Sequence, residues 1–205
     1  MTISVLGIST SPRKNGNSDL LLQEALQAAE KAGAAAEYIN LNNYNIKPCL
    51  ECNNCYKAGV CVIKDDYHQL MDKLLKTDRL IFATPIYFMN VCAQAKILID
   101  RAQSLWSKKH ILKQELFDKS RDRRAMIIAV GGSKSQNQFT SIRWTLKTYF
   151  DTLDFKYTSA LFVNQVDEFG AVKEHRLALR EAYGLGSLFA SNNPLPDSPV
   201  EVQLT

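Results

Sequence analysis

The chain has 205 residues, of which 46% are hydrophobic and 22% charged, and this composition suffices for one globular domain with a full core. Its formal net charge of +4 comes without a basic run long enough for a nucleic-acid footprint, and no window of the sequence reads as a membrane span. The apolar N-terminus lacks the basic residues that open a secretory signal. We therefore expect a cytoplasmic protein that binds neither nucleic acid nor membrane.

Short apolar runs alternate with amphipathic stretches along the chain, which is typical of parallel strands joined by helices. In chain order the sequence predicts strand 3–9, helix 17–33, strand 36–41, helix 65–78, strand 79–87, helix 92–106, strand 124–132, helix 140–153, strand 156–163 and helix 173–190. This order predicts an α/β fold of flavodoxin-like type. Its core is a doubly wound five-stranded parallel sheet in the order 2-1-3-4-5, with helices on both faces.

Residues 1–191 are predicted to form this domain, with a cysteine-rich loop inserted at 48–64. The tail 192–205 is polar and contains proline, so we expect a surface arm that packs on a neighbouring subunit. The cysteine loop and residues 106–119 add surface that a flavodoxin core does not require. Because the edge of the sheet alone leaves a ligand open to solvent, we expect a homodimer or homotetramer.

In a sheet of this type, ligands bind beyond the carboxyl ends of the strands. The loop after the first strand lacks the glycine fingerprints of dinucleotide-binding and P-loop proteins. It offers hydroxyls, basic side chains and a helix N-terminus, which together suit one phosphate monoester. An ordinary turn contains the same residue types, so this loop alone leaves both interpretations open. The candidate phosphate contacts are Ser9, Ser11, Arg13, Asn17 and Ser18.

Two further loops follow at the same edge. The loop 84–90 places Tyr87, Phe88 and Asn90 beyond the sheet, where planar apolar groups beside an amide suit a flat heterocycle. The loop 131–137 begins with two glycines, which allow a ligand to approach the backbone closely. Capping of the core explains one such aromatic residue but not all three loops together.

Four of the five cysteines lie within thirteen residues at the spacing C-x2-C-x2-C-x5-C, namely Cys49, Cys52, Cys55 and Cys61. In a reducing compartment, clustered cysteines more often bind metal or act in redox chemistry than form disulfides. Structural zinc sites usually divide into two separated pairs of ligands, whereas C-x2-C-x2-C is the spacing of the bacterial ferredoxin run. The spacing favours a [4Fe-4S] cluster, with zinc or metal-free cysteines as alternatives.

Together with the cysteine run, the segments GISTSPRKNGNS, ATPIYFMN and AQAKILIDR resemble the NADPH-dependent FMN reductase family and, within it, the iron-sulfur flavoproteins. The resemblance covers residues 1–190 and implies FMN with its phosphate in the first loop. It implies that the flavin is surrounded by Pro85, Ile86, Tyr87, Phe88 and Asn90, with its other edge at Gly131, Gly132 and Ser133. Met89 departs from the glycine expected there, so the backbone path at 88–90 is where we expect a difference.

The resemblance implies a flavin-dependent oxidoreductase that transfers electrons between a [4Fe-4S] cluster, FMN and an acceptor, with a ferredoxin-like protein as donor. The alternative is an NAD(P)H-dependent FMN or quinone reductase without a cluster. A non-enzymatic metal-binding module on the same scaffold is a third possibility, because fold alone does not specify function.

Several other residues are assigned structural roles. Cys92, at the start of a helix, is predicted to be buried, and Asp65 and Asp66 are predicted to cap a helix. Asp100 and Arg101 are expected in helix or subunit contacts. No histidine is assigned to catalysis, because all three lie among polar neighbours.

Overall fold

The structure, a computed structural model, describes residues 2–118 and 120–205. Lys119, the last residue of the predicted insertion, lies outside them. The strands are β1 (Ser4–Ser9), β2 (Ala35–Asn40), β3 (Arg79–Tyr87), β4 (Asn90–Val91), β5 (Arg124–Val130), β6 (Lys156–Val163) and β7 (Val200–Leu204). The helices are α1 (Asn17–Lys31), α2 (Cys55–Ala58), α3 (Tyr67–Lys76), α4 (Ala93–Arg101), α5 (Gln103–His110), α6 (Thr140–Thr152) and α7 (Arg176–Phe189).

The sheet has the order β2-β1-β3-β5-β6-β7, and all neighbours along this path are parallel. The predicted order 2-1-3-4-5 is confirmed, with β5 and β6 as its fourth and fifth strands. The parallel sheet has six strands instead of the predicted five. Residues 200–204 of the predicted surface arm form the sixth parallel strand, β7, beside β6. The carboxylate of Glu201 fixes this strand by binding Arg143 at 2.8 Å and the hydroxyl of Tyr157 at 2.6 Å.

The core lies on both faces of the sheet. In β1, Leu6 and Ile8 pack with residues of α3, α4 and α6, whereas Val5 packs with residues of α1 and α7. β5 is buried along its whole length, as expected for a parallel strand covered on both sides. Among the described residues, no helix combines the length and the apolar character needed to cross a membrane.

Two local features differ from the predicted elements. The predicted helix 92–106 divides into α4 and α5, which meet at Ala102. A short antiparallel pair forms where β3 continues into β4, with Ile86 opposite Val91 and Tyr87 opposite Asn90. Both features lie beside the predicted site.

The contact between α1 and α7 depends on Gly186. A Cβ at this position would overlap the carbonyl oxygen of Ala25 and lie 2.7 Å from its Cα, and backbone atoms cannot move aside as a flexible side chain can. We expect Gly186→Ala to lower the free energy of unfolding by about 3 kcal/mol, as severe overpacking does. Urea denaturation followed by circular dichroism measures this change.

Gly184, two residues earlier on α7, provides the matched control. A Cβ there meets nothing within 4 Å. Alanine has the higher helix propensity, so Gly184→Ala is expected to raise the free energy of unfolding by up to about 1 kcal/mol. Equal stability of the two variants would show that α1 and α7 do not approach as closely as described.

Candidate functional site

The three predicted loops meet at the carboxyl edge of the sheet, around a cleft of about 60 Å³. A volume of this size is far below that of typical small-molecule pockets and suits a small anion rather than a ring system. From the predicted set, the cleft is lined by Ser11, Arg13, Asn17, Ser18, Pro85, Ile86, Tyr87, Gly131 and Gly132. The other predicted residues, Ser9, Phe88, Asn90 and Ser133, are not part of its lining.

The first loop is shaped by its own hydrogen bonds. The hydroxyl of Ser11 accepts from the amide of Arg13 and donates to its carbonyl, both at 3.1 Å. Asn15 has a left-handed φ of 58° and donates its amide to the buried carboxylate of Asp19 at 2.8 Å. Asp19 also accepts from Tyr38, and burial followed by this hydrogen bond raises the pKa of Tyr38 to about 12. The loop therefore keeps its shape without a ligand.

The hydroxyls of Ser9 and Ser18 are the two in this segment that internal contacts leave unused, and of these Ser18 lines the cleft. Its hydroxyl is buried, lines the cleft and has no hydrogen-bond partner. It lies in the first turn of α1, where backbone amides have no partner within the helix and the helix dipole favours an anion. An unpaired buried hydroxyl beside such amides is a donor available to an anionic ligand.

The side chain of Asn17 makes its hydrogen bonds outside the cleft. Its side-chain amide donates to the carbonyl of Glu168 at 2.8 Å and accepts from the amide of Val172 at 3.2 Å. The side chain thus joins the first loop to the segment after β6. Asn17 can offer its backbone amide to the cleft, but its side chain is occupied.

The turn between β3 and β4 is a two-residue turn at Phe88 and Met89, with φ values of 49° and 61°. Left-handed φ at both positions is the pattern of a type I′ hairpin, and it costs non-glycine residues about 1–2 kcal/mol each. Met89 thus adopts the backbone conformation that glycine favours. The hydroxyl of Ser141 supports the turn by donating to the carbonyl of Met89.

This conformation decides where the predicted flavin contacts point. Phe88 is fully exposed, and the side-chain oxygen of Asn90 accepts the amide of Val91 at 2.8 Å. Tyr87 and Ile86, one and two residues earlier, line the cleft.

A fourth loop, absent from the sequence-based prediction, completes the cleft. Val166, Asp167 and Phe169 follow β6 and line it opposite the glycines of the third loop. A Cβ at Gly132 would lie 2.8 Å from the side chain of Asp167, so this loop packs directly on the glycine. β6 neighbours β5, so the rule that ligands gather beyond the carboxyl ends of parallel strands could have identified this loop.

A second cavity, of about 400 Å³, lies beside α4 and α5, and all four predicted cysteines of the run border it. Cys49 and Cys52 are exposed, Cys55 and Cys61 are half-buried, and all are free thiols. Within the part of the chain that the structure describes, no three His, Cys, Asp or Glu side chains are grouped closely enough to hold a single metal ion.

Two of these thiols have polar neighbours that act on a negative charge. The backbone amide of Asn54, followed by its side chain, lowers the pKa of Cys52. The sulfur of Cys55 lies 3.5 Å from the hydroxyl of Ser107 on α5.

A buried ion pair supports the base of the cysteine loop. Arg101 donates to both carboxylate oxygens of Asp65, at 2.6 and 3.0 Å, and both side chains are almost fully buried. Burial opposes the charge of Asp65, but hydrogen bonds from Arg101 and from the amide of Lys47 outweigh it and lower the pKa of this carboxyl. Asp66 accepts the amide of Asn45 at 2.7 Å.

These contacts confirm the capping role predicted for Asp65 and give Arg101 a role that was not predicted. Asp65 does cap the first turn of α3, since it accepts the amide of Tyr67 at 3.2 Å, but it mainly anchors Arg101 and Lys47. Arg101 lies in the interior, where it pairs with Asp65, and not in the helix or subunit contact predicted for it. Cys92 is buried, as predicted, and its thiol donates to the carbonyl of Thr10 at 3.1 Å.

The chain is similar to proteins of a known family. Residues 3–167 match the model of the NADPH-dependent FMN reductase family. An iron-sulfur flavoprotein of Methanocaldococcus jannaschii is 36% identical over 141 residues, which are 69% of this chain and 68% of that protein. An iron-sulfur flavoprotein of Methanosarcina thermophila is 32% identical over 141 residues, 69% of this chain and 70% of that protein.

Among solved structures, an NAD(P)H:quinone oxidoreductase from Methanothermobacter marburgensis superposes with a TM-score of 0.71. The superposition covers 95% of this chain and 100% of that chain at 16% sequence identity. This similarity confirms the predicted flavodoxin-like fold.

Proposed function

Because this chain belongs to the NADPH-dependent FMN reductase family and, within it, to the iron-sulfur flavoproteins, we propose that it passes electrons between a [4Fe-4S] cluster and FMN. Family membership makes the chain a flavin-dependent oxidoreductase. The observation that carries the finer proposal is the position of Cys49, Cys52, Cys55 and Cys61 around one cavity beside α4 and α5.

The cleft suits the phosphate end of FMN. In this proposal the unpaired hydroxyl of Ser18 and the guanidinium of Arg13 bind the phosphate, together with the first amides of α1. The flavin ring, too large for the cleft, lies against Tyr87 and the backbone of Gly131 and Gly132. Phe169, which is exposed at the fourth loop, is in position to cover it.

The cysteine cavity suits a cluster better than a single ion. A zinc ion draws four ligands to one point, with sulfur atoms about 2.3 Å from the metal. Each cysteine of a [4Fe-4S] cluster binds a different iron, so its sulfurs enclose a body of atoms. The four thiols border one cavity of about 400 Å³, which supports the second arrangement.

One helix connects the two sites. α4 begins two residues after β4, at the flavin side, and ends at Arg101, which borders the cysteine cavity. It has nine residues, and at a rise of about 1.5 Å per residue it is about 14 Å long. This short, rigid connection supports electron transfer within one chain. When bound, FMN supplies two-electron storage and the cluster supplies one-electron transfer, so the protein needs no general base.

The test is the cofactor content of the full chain purified without oxygen. We expect extracted FMN, about four iron atoms with equal sulfide per chain, and no zinc. FMN is expected rather than FAD, since the first loop accommodates one terminal phosphate and carries no dinucleotide fingerprint. Recovery of FAD, or no flavin binding on reconstitution, would contradict the proposed cleft, and zinc in place of iron would contradict the proposed cluster.

The electron donor separates two versions of this function. A reduced ferredoxin-like protein is the donor we propose, because a cluster accepts single electrons. The alternative, direct reduction of the flavin by NAD(P)H, follows from the name of the matched family. The protein is mixed rapidly with NADPH in one experiment and with reduced ferredoxin in another. The reductant that reduces the flavin faster is the donor.

A second copy of the chain is the proposed cover for the open side of the flavin site. Phe88, Met89 and Trp144 are exposed, and Trp144 lies one turn after Ser141, which binds the hairpin. Exposed apolar groups of this size at a ligand site commonly mark an interface. A homodimer or homotetramer is expected in light scattering, and a monomer at micromolar concentration would contradict it.

A further inference from the structure

The cysteine cavity has one buried cation. Of the residues that line it in the described part of the chain, Arg101 alone is basic, while Glu51 and Asp100 are acidic and exposed. Asp100 is paired with Lys96 on the outer face of α4. The side chain of Arg101 is fully buried, so solvent screens its charge far less than that of a surface arginine.

The hydrogen bonds of Arg101 leave one donor unused. A guanidinium has five N–H groups. Nη1 donates to Asp65 and to the carbonyl of Lys47, and Nη2 donates to Asp65 and to the carbonyl of Ile63. These contacts account for four N–H groups. The fifth, at Nε, is buried and has no hydrogen-bond partner. Buried donors are rarely left unpaired, and this one belongs to a charged group.

Cys61 is the cavity thiol placed beside this guanidinium by the chain, because Nη2 binds the carbonyl of Ile63, two residues after Cys61, at 3.3 Å, and both Cys61 and Arg101 border the cavity. The aromatic face of Tyr67, 4.5 Å from the guanidinium, holds Arg101 from the other side. The side chain is thus fixed by Asp65, two carbonyls and a ring, with Nε as its free edge.

We propose that Arg101 donates Nε–H to the sulfur of Cys61 and thereby raises the reduction potential of the cluster in the cysteine cavity. This inference rests on the proposed function. Reduction adds one electron, and therefore one negative charge, to the cluster and its four thiolate ligands. Arg101 borders the cavity and its partner Asp65 does not, so the positive end of this ion pair lies nearer the cluster and, with a hydrogen bond to a ligand sulfur, stabilises the reduced state more than the oxidised state.

The test compares the full protein with two variants in a redox titration followed by electron paramagnetic resonance. Arg101→Gln combined with Asp65→Asn removes the donor and its counter-charge together, so no unpaired buried carboxylate remains. At the midpoint potential of the wild type, we expect a ratio of reduced to oxidised cluster about tenfold lower, which corresponds to a midpoint about 59 mV more negative for one electron. Arg101→Lys retains a positive charge without the Nε–H and is expected to shift less.

Arg180→Gln combined with Glu181→Gln is the matched control, since it removes an ion pair of the same two charges from the surface of α7. It is expected to leave the midpoint unchanged.

Equal midpoints in wild type and the double variant of Arg101 and Asp65, with iron retained in both, would overturn the role of Arg101 and leave the proposed cluster intact. Absence of iron from the wild type would overturn the proposed cluster itself. Loss of iron from both Arg101 variants, with FMN retained, would overturn the tuning role in favour of a purely structural one.

Discussion

Replacement of Cys55 by serine is expected to remove the iron while leaving the flavin in place. Cys55 begins α2 and is the third of the four proposed ligands. A [4Fe-4S] cluster needs one ligand at each iron, and a serine oxygen is a poorer match than a thiolate. We expect iron to fall from about four atoms per chain to near zero. FMN content should not change, because the cleft is built from other loops.

The redox consequence follows from the same change. Under the cluster hypothesis, Cys55→Ser loses reduction by a ferredoxin-type donor, while dithionite still reduces its flavin. Under the alternative, NAD(P)H reduces the flavin of wild type and variant at similar rates, and neither contains iron. Stopped-flow absorbance with each reductant distinguishes the two outcomes.

Cys92→Ser is the control for this experiment. Cys92 is buried between the first loop and the end of β3, and its thiol donates to the carbonyl of Thr10. A serine hydroxyl can make the same hydrogen bond, so the fold should tolerate the change. Iron content is expected to stay at the wild-type level. If Cys92→Ser removed the iron instead, the assignment of the four ligands would be wrong.

Much of the fold could be predicted because its signals are local. Buried parallel strands such as 79–87 and 124–130 are nearly continuous apolar runs, and the helices between them have amphipathic patterns. β7 was missed because its five residues follow a segment rich in proline and polar residues. The alternation in Val200–Leu204 is a strand signal, but which edge it joins depends on Glu201 meeting Arg143 and Tyr157, far away in the sequence.

The loops that form the site could be predicted, because the topology of the sheet places them. The directions of their side chains could not. The carboxyl-edge rule brought three loops together and, applied to β6, would have added Asp167 and Phe169. The outward position of Phe88 comes from left-handed φ values at two residues that rarely adopt them, which the sequence does not reveal. Likewise, Asp65 and Arg101 are 36 residues apart, and no local pattern indicates that they pair in the interior.

Ser18→Ala is expected to weaken FMN binding about 10- to 100-fold without reducing the stability of the apoprotein. A hydrogen bond from a hydroxyl to a charged phosphate contributes about 1.5–3 kcal/mol, which accounts for this range. In the absence of ligand the Ser18 hydroxyl is buried and unpaired, so its removal costs nothing and relieves a desolvated polar group. Fluorescence titration of the apoprotein with FMN measures the affinity, and thermal unfolding of the apoprotein measures the stability.

Two comparisons assign the loss of affinity to the phosphate. Riboflavin has the same ring system and no phosphate, so its affinity should be equal in wild type and Ser18→Ala. Ser9→Ala changes a residue that is equally buried but does not line the cleft, and it should bind FMN as the wild type does.

If Ser18→Ala weakened riboflavin as much as FMN, the effect would lie in the ring site. A larger loss for Ser9→Ala than for Ser18→Ala would move the phosphate away from the N-terminus of α1. Removal of a hydroxyl that is unpaired without ligand and needed with it raises the stability of the apoprotein and lowers its affinity for FMN. General damage to the fold would lower both.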